Sequence, residues 1–299
     1  MLGASLLNIL KNNNNYKLII LYRDKLKIKY LKKIIKEAKF INIDLTNSNL
    51  LNKKIKKYKI HAVIHMASSK ISDNLNFENS LNSNFLMAFN LLRSIKNKKI
   101  NHFIYTNTAA IYEQGYNLKE NSPKSKNSYG YSKNIIAKFI SNFCLNRKIY
   151  FKDLRIFSVF GEFENKNRLT AGAIFHAENK KYFFVKAPNQ FRDYLYVDDV
   201  VDAILKSLNI KKNFSVNICS GKKIGTHKLI EIIFKKISDK KLIRYSKNKK
   251  SSFNLLSKLT GSNKFAKKIL GWSPKYNINS GIDLMIARLK HVNKNIDLN

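Results

Sequence analysis

The chain has 299 residues, of which 44% are hydrophobic and 12% aromatic, so it can bury a large core and is not a disordered protein. Its formal net charge of +38 raises nucleic acid or an anionic membrane as a partner. The lysines are spread along the whole chain without a recognition motif, so we attribute them to drift in an AT-rich genome and expect no specific nucleic-acid partner.

Compact apolar runs alternate along the chain with longer segments whose apolar residues recur at helical spacing. The first predicted elements are a helix at 3–12, a strand at 16–22, a helix at 26–37, a strand at 40–43, a helix at 46–57 and a strand at 62–66. The next are a helix at 76–97, a strand at 102–107, a helix at 127–148, a strand at 150–157, a helix at 196–209, a strand at 214–218 and a helix at 226–238. Strands that alternate with helices predict βαβ units and a parallel sheet, whose ligands bind outside the carboxyl ends of the strands.

The cysteines and the first ten residues indicate in which cellular compartment the protein is expected. The two cysteines, Cys144 and Cys219, lie far apart and form no CxxC pair, so neither a zinc site nor a disulfide framework is expected. The apolar run at residues 1–10 is too short for a membrane span and lacks the basic start of a signal peptide. We expect a cytoplasmic protein with no membrane partner and no metal site.

The strongest local signal is the pair Tyr129 and Lys133, which the predicted helix places on one face. A lysine ammonium beside the tyrosine would lower the pKa of the phenol and make it usable as an acid or base. Thr108 follows the predicted strand 102–107 and could hydrogen-bond a substrate oxygen. The spacing alone also fits an amphipathic helix without chemistry, because the chain has 15 tyrosines and many lysines.

Two segments around these residues, 103–112 and 128–133, resemble the NAD-dependent epimerase/dehydratase family, the extended short-chain dehydrogenases. Further segments resemble motifs of the same family in the same order: 61–67, 154–161, 192–199, 217–221 and 270–274. Among the members, the sugar-nucleotide 4-epimerases are the most similar. The chain departs from the family pattern at Glu113, where glycine is usual, and at Ser158, where asparagine is commoner.

The resemblance implies a catalytic role for three residues. Thr108 takes the hydroxyl role, Tyr129 the acid/base role and Lys133 the activating role. It implies that the substrate pyrophosphate is held by Arg192, which suits guanidinium geometry. The residues expected at the cofactor are Gly3, Arg23, Asp24, Asp44, Leu45, Ala67, Lys70, Asn84, Tyr129 and Lys133.

The choice of cofactor depends on the end of the second strand. Arg23 suits the 2′-phosphate of NADP, and Asp24 suits a ribose hydroxyl of NAD. We favour NAD, because epimerases of the resembled family hold it as a recycled cofactor, and NADP stays open.

The implied fold is a Rossmann-type doubly wound parallel sheet with a smaller α/β substrate-binding part. Residues 1–160 and 192–219 are expected to form the dinucleotide-binding domain, and residues 161–191 and 220–299 the substrate-binding part. The family's glycine-rich start is matched only from its last glycine, Gly3, so the sheet is expected to lack its first strand. Either a start codon assigned too late, an upstream frameshift or decay of the gene would explain this.

The implied reaction is hydride transfer at a sugar carbon of a nucleotide sugar. Ala109 and Ala110 stand where dehydratases of the family carry an acidic pair, which favours an epimerase or a reductase. One alternative is a catalytically impaired remnant or NAD(P)-binding scaffold, and another is a basic nucleic-acid binder that reuses the fold. The family further implies a homodimer built from helices 76–97 and 127–148.

Overall fold

The computed structural model describes residues 1–12, 15–23, 28, 31–33, 35, 37–69, 77–121, 123–125, 127–246 and 258–295. The first half contains α1 (Leu2–Leu10), β1 (Ile19–Tyr22), β2 (Lys39–Asn42), α2 (Ser48–Ile55), β3 (Ala62–His65), α3 (Phe77–Ile95), β4 (His102–Thr108), β5 (Gly115–Leu118), α4 (Ser128–Leu145) and β6 (Tyr150–Ile156). The second half contains β7 (Ser158–Phe160), α5 (Leu169–Glu178), β8 (Phe183–Val185), β9 (Phe191–Arg192), β10 (Tyr194–Tyr196), α6 (Val197–Ser207), β11 (Phe214–Ile218), β12 (Ile224–Gly225), α7 (Thr226–Ile237), β13 (Ile243–Tyr245), β14 (Lys258–Gly261), α8 (Lys264–Leu270) and α9 (Ile278–Asn295).

The centre of the fold is a parallel sheet with the strand order β11-β6-β4-β3. Its two middle strands are buried along nearly their whole length, as expected for a parallel sheet with helices on both faces. Alternate residues of β4 face opposite sides: Phe103 packs with α3 and α4, and Ile104 packs with α6. The predicted Rossmann-type α/β fold is confirmed.

The sheet is interrupted between β1 and β3. β1 pairs in parallel with β2, with Ile19 opposite Lys39, and within the described residues no strand joins this pair to β3. The apolar residues of β1 and the first three residues of β3 are only half-buried, whereas the first four residues of β4 are buried. Within the described part of the chain, β1 and β3 therefore belong to two separate parallel ladders.

The helix α1 packs against both pieces of the sheet. Its Leu6 and Leu10 are buried in one cluster with Leu18, which directly precedes β1, and with Ile64 and Met66 at β3. Burial of a leucine side chain contributes about 1.5–3 kcal/mol. The relative position of the two pieces thus depends on apolar packing beneath the sheet and not on a continuous hydrogen-bond ladder.

A second, smaller α/β part follows β6. The helices α5, α7 and α9 pack around a core of buried residues that includes Ile174, Ile233 and Ile282. The short strands β12, β9, β14 and β5 form a mixed sheet in that order. Because Gly115 and Leu118 of β5 pair with β14, this sheet takes one strand from the predicted dinucleotide-binding domain.

The start of α6 is anchored by the C-terminal segment. The only tryptophan, Trp272, is fully buried, and its Nε1 donates a hydrogen bond of 2.9 Å to the carbonyl oxygen of Asp199. The carboxylate of Asp199 accepts hydrogen bonds from the backbone amides of Lys275 at 2.7 Å and Tyr276 at 3.2 Å. Asp199 therefore binds a neighbouring segment from the first turn of α6.

The outer faces of α3 and α4 carry exposed apolar side chains. The ring of Phe85 lies 5.0 Å from that of Phe139 and 6.4 Å from that of Phe89, and Leu86 and Ile135 are also exposed. No helix in the described part of the chain is long and apolar enough to cross a membrane. A contiguous apolar surface on two adjacent helices is the kind that association buries, in keeping with the predicted homodimer.

We expect the protein to sediment as a dimer at micromolar concentration. Replacing Phe89 with lysine should weaken the dimer at least about tenfold, because burial of an aromatic side chain contributes about 1.5–3 kcal/mol. Phe184→Lys is the matched control, since Phe184 is 68% exposed on β8, outside this helix pair. A monomeric parent protein in analytical ultracentrifugation, or an equal effect of the control, would contradict the prediction.

Candidate active site

The beginning of α4 is tied to the turn that follows β4. The side chain of Asn127 caps the helix by accepting a hydrogen bond of 2.7 Å from the amide of Gly130. The carbonyl oxygen of Ala110 accepts hydrogen bonds from Ser125 Oγ at 2.8 Å and from Asn127 Nδ2 at 3.3 Å. These contacts seat the first turn of α4, which carries Tyr129, directly on the end of the β4 strand.

Gly130 makes this close seating possible. A β-carbon at this position would lie 1.9 Å from the carbonyl oxygen of Ala110, a distance that no side chain tolerates. By contrast, a β-carbon on Gly3 in α1 would meet its nearest neighbour, Met66 Sδ, at an ordinary distance of 3.9 Å.

Lys133 lies one turn further along α4 and is buried beneath the strand end. Its Nζ donates a hydrogen bond of 2.9 Å to the carbonyl oxygen of Thr106 and lies 4.1 Å from the centre of the Tyr105 ring. Burial lowers the pKa of Lys133 to about 7, although the carboxylate of Asp153 acts in the opposite direction. Burial, together with the charge of Lys133, also lowers the pKa of His65 to about 3. His65 is thus neutral, and Lys133 titrates near neutral pH.

Tyr129 has a different charged neighbour from the one that the sequence indicates. Burial raises the pKa of its phenol, and a hydrogen bond with Ser68 and the positive charge of Arg168 oppose this rise. The ammonium of Lys133 instead binds the carbonyl of Thr106. Sequence reasoning missed Ser68 and Arg168, because only the fold brings these distant residues to Tyr129.

Thr108 ends β4 and is half-buried. Its Oγ1 accepts a hydrogen bond of 3.2 Å from the amide of Ala110, and its own amide donates at 2.9 Å to Asn107 Oδ1. Both bonds leave the hydroxyl proton of Thr108 able to donate. The structure thus places Thr108 at the carboxyl end of β4, with Lys133 beneath this end and Tyr129 on the helix turn that is seated there.

Several residues expected at the cofactor also lie at carboxyl ends of strands. Asp44 follows β2, accepts hydrogen bonds from the amide and hydroxyl of Thr46 at 2.9 and 2.8 Å, and lies 3.5 Å from Arg23 Nη1. These hydrogen bonds and the charge of Arg23 lower the pKa of Asp44. The neighbouring Leu45 is buried, and its carbonyl accepts a hydrogen bond of 3.0 Å from Asn90.

Asn84 fixes the segment that follows β3. Its Oδ1 accepts from the amide of Ser69 at 2.7 Å, and its Nδ2 donates to the carbonyl of Ser69 at 3.1 Å. Ala67 is exposed in the same segment. The remaining two residues expected at the cofactor, Asp24 and Lys70, lie outside the described residues.

Arg192 lies on β9, where its Nη2 donates a hydrogen bond of 3.0 Å to Gln190 Oε1. Burial raises the pKa of the adjacent Tyr194, and Arg192 and Arg168 both oppose this rise. The two guanidinium groups therefore act on one tyrosine, and Arg168 also acts on Tyr129. Arg168, an arginine that the sequence did not indicate, thus acts on both Tyr129 and Tyr194.

A buried carboxyl group lies beside Arg168. Glu164 Oε1 is 3.7 Å from Arg168 Nε, and Oε2 accepts a hydrogen bond of 3.2 Å from the amide of Ala171. Burial raises the pKa of Glu164 to about 7, while Arg168 and the Ala171 amide act against the rise. Glu164 was not among the predicted site residues, because nothing in its sequence neighbourhood distinguishes it.

Fold and side chains together define a Rossmann-type α/β protein with a threonine, tyrosine and lysine gathered at a strand end. The sequence pattern of the NAD dependent epimerase/dehydratase family matches residues 1–219, and the chain belongs to this family. The family predicted from the sequence motifs is thereby confirmed.

Relatives support the same assignment. The chain is 29% identical over 296 residues to a putative UDP-glucose 4-epimerase of Methanocaldococcus jannaschii, covering 94% of this chain and 93% of the relative. It superposes with a TM-score of 0.85 on the UDP-glucose 4-epimerase of Thermotoga maritima with UDP-glucose, at 20% identity over 98% of this chain and 96% of that one. The TM-score is also 0.85 for a UDP-glucuronic acid 4-epimerase variant of Bacillus cereus with a fluorinated UDP-sugar and NAD, at 21% identity over 98% and 96% of the two chains. At these identities, the two structures show a common fold.

We expect Gly130→Ala to destabilise the protein by about 1–3 kcal/mol, because α4 must move away from the Ala110 carbonyl to make room. Gly3→Ala is the matched control. It adds the same methyl group in open space within a helix, so it should leave the stability unchanged or raise it by up to about 1 kcal/mol. Urea unfolding measures the stability of both variants. Equal unfolding midpoints would contradict the seating of α4 on Ala110.

Proposed function

We propose that the chain is a nucleotide-sugar epimerase or reductase that acts by hydride transfer at a sugar carbon, with NAD as its cofactor and NADP as the alternative. The observation that carries this proposal is the gathering of Thr108, Tyr129 and Lys133 at the carboxyl end of β4. Membership of an NAD-dependent family and the similarity to UDP-sugar epimerases support it.

The residues at the ends of the first two strands fit one part of a dinucleotide. The carboxylate of Asp44 is held in place by Thr46 and lies beside Arg23 at the ends of the first two strands, where the adenosine part of such a ligand is expected. The cation of Lys133 is available nearer the centre of the sheet. NAD, when bound, supplies the acceptor for the hydride. The exposed Arg23 is compatible with a 2′-phosphate, which is why NADP stays open.

Tyr129 would take the proton from the sugar hydroxyl and later return it. Ser68 and Arg168 both stabilise the phenolate, and so oppose the effect of burial on the pKa of Tyr129. Thr108 would donate its hydroxyl proton to the same sugar oxygen, which fixes the oxygen near the phenol. Lys133 adds positive charge beneath the site, where the surrounding protein screens it less than water would.

The substrate phosphates would be held by arginines. Arg168 acts electrostatically on both Tyr129 and Tyr194, and Arg192 acts on Tyr194. Guanidinium groups bind phosphate oxygens in a bidentate manner, and the overall basic surface would attract an anionic substrate. A nucleotide sugar with a pyrophosphate, such as UDP-glucose, satisfies this arrangement.

The turn after Thr108 favours epimerase or reductase over dehydratase. Ala109 and Ala110 are buried and apolar, so this turn supplies no carboxyl group for the elimination of water. A second candidate function, an impaired enzyme or an NAD(P)-binding scaffold, is favoured by the interruption of the sheet between β1 and β3. A turnover assay with UDP-glucose and NAD separates the two candidates.

Replacing Tyr129 with phenylalanine should reduce turnover by about 10²–10⁴-fold, because only the acid/base oxygen is lost. Thermal stability and NAD affinity should change little. Tyr131→Phe is the matched control, since this tyrosine is 58% exposed two residues away on the same helix. Full turnover of the Tyr129 variant on an active preparation would show that another group moves the proton.

Replacing Arg192 with leucine should weaken the binding of UDP-glucose by about 1.5–3 kcal/mol, the typical contribution of a charge-assisted hydrogen bond. Arg244→Leu is the control, because Arg244 is exposed and its guanidinium stacks on Tyr182, 4.1 Å from the ring centre. Calorimetric titration measures both affinities. If the two variants bind equally well, Arg192 does not hold the phosphates.

A further inference from the structure

A buried polar network lies behind the candidate active site, on the side of β4 that faces β6. Its centre is Asp153, whose side chain is almost fully buried. Oδ1 of Asp153 accepts a hydrogen bond of 2.8 Å from Asn107 Nδ2, and Oδ2 accepts one of 3.0 Å from Arg155 Nε. The ladder between β4 and β6 sets this arrangement, because it places Tyr105 opposite Asp153 and Asn107 opposite Arg155.

Asn107 transmits this arrangement to the catalytic threonine. Its Oδ1 accepts a hydrogen bond of 2.9 Å from the amide of Thr108. An asparagine side chain has one accepting end and one donating end. A partner that can only accept hydrogen bonds therefore fixes its orientation. Asp153 accepts and cannot donate when ionised, which turns the amino group of Asn107 towards β6 and the carbonyl towards Thr108.

Asp153 also acts electrostatically on Lys133. Its negative charge raises the pKa of Lys133 against the larger effect of burial. The other titratable groups packed around Lys133 are His65 from β3, which is neutral, and Tyr105 from β4, whose pKa is raised well above its ordinary value by burial. Arg155 from β6 completes the surroundings of Asp153. Asp153 is thus the anionic group that acts on Lys133.

We propose that Asp153 is a positioning residue of the active site, which orients Thr108 through Asn107 and supplies the negative charge that acts on Lys133. The inference rests on the catalytic roles proposed for Thr108 and Lys133. A carboxylate is required because each of its two oxygens accepts one of these hydrogen bonds, whereas an amide has only one accepting atom and presents donors at its other end. Asparagine at position 153 would have to give up Arg155 or force Asn107 to turn its carbonyl away from Thr108.

The first experiment measures the titration of Lys133 by NMR in protein with isotope-labelled lysine. Asp153→Asn should lower the pKa of Lys133 by about one unit, because a nearby opposite charge is lost. Asp199→Asn is the matched control, since Asp199 is equally buried and accepts two hydrogen bonds, but from Lys275 and Tyr276. A Lys133 titration that is the same in both variants as in the parent protein overturns the charge role.

The second experiment uses Asn107→Ala, which keeps the pair of Asp153 and Arg155 and removes the two hydrogen bonds of the Asn107 side chain, one to Asp153 and one to the Thr108 amide. The amide of Thr108 should exchange its hydrogen faster, and kcat should fall about tenfold with KM for UDP-glucose nearly unchanged, while Lys133 titrates as in the parent. Unchanged exchange at Thr108 overturns the positioning role. This variant decides that role even where Asp153→Asn does not fold.

The failure of this inference and that of the proposed function give different results. If the parent protein turns over no nucleotide sugar, the proposed function is wrong, and the Lys133 titration and Thr108 exchange still test Asp153. If the parent is active but Asp153→Asn keeps both the parent's pH profile and its Lys133 titration, the function stands and Asp153 has no positioning role.

Discussion

The candidate site depends on the contact between the first turn of α4 and the turn after β4. The contact exists because Gly130 has no side chain and because Ser125 and Asn127 both bind the carbonyl of Ala110. Tyr129 is the residue before the contact, so its position relative to the strand end is fixed by backbone geometry. Lys133 lies one helical turn further on, where burial follows from the same seating.

Burial of Lys133 has an energetic cost. The pKa of Lys133 falls to about 7, and that of Lys152, fully buried on β6 beside His102, falls to about 8. Both folded-state values lie below the usual 10.5, so between these values the unfolded chain binds more protons and stability rises with pH. At neutral pH the fold therefore carries a penalty from Lys152, which contacts His102 Nδ1 and the Tyr150 carbonyl. For Lys133, the corresponding cost of burying a charged amine falls at the site where the proposed chemistry needs a cation.

The sequence predicted the central sheet well, because long buried strands have a strong signal. The predicted strands 102–107 and 150–157 differ from the observed ones, His102–Thr108 and Tyr150–Ile156, by one residue. The predicted strand 16–22 begins only at Ile19, since apolar content does not mark where a ladder partner begins. Part of the predicted helix 26–37 lies outside the described residues.

The short strands were not predicted. β9 and β12 have two residues each and are held by a ladder between distant segments, with Arg192 opposite Ile224. Such strands have no period that a sequence window can detect. The site shows the same limit: Thr108 and Tyr129 follow from motifs, whereas Arg168 and Asp153 act through contacts that the fold alone creates.

The two halves of the site differ in what supports them. The proposed acid/base residues stand on β4, within the continuous four-stranded sheet, and on α4, which is seated on it, with the buried network of Asp153 behind them. Asp44 and Arg23, on the expected cofactor side, belong to the separate pair β1 and β2, which packs on the rest through α1, by Leu6 and Leu10, and through α3, whose Asn90 binds the Leu45 carbonyl. Packing fixes a distance less strictly than a hydrogen-bond ladder does. Under the proposed function, the position of the cofactor relative to the sugar carbon would therefore depend on apolar packing by α1 and α3, whereas Thr108 and Tyr129 are placed by the continuous sheet and the helix seated on it.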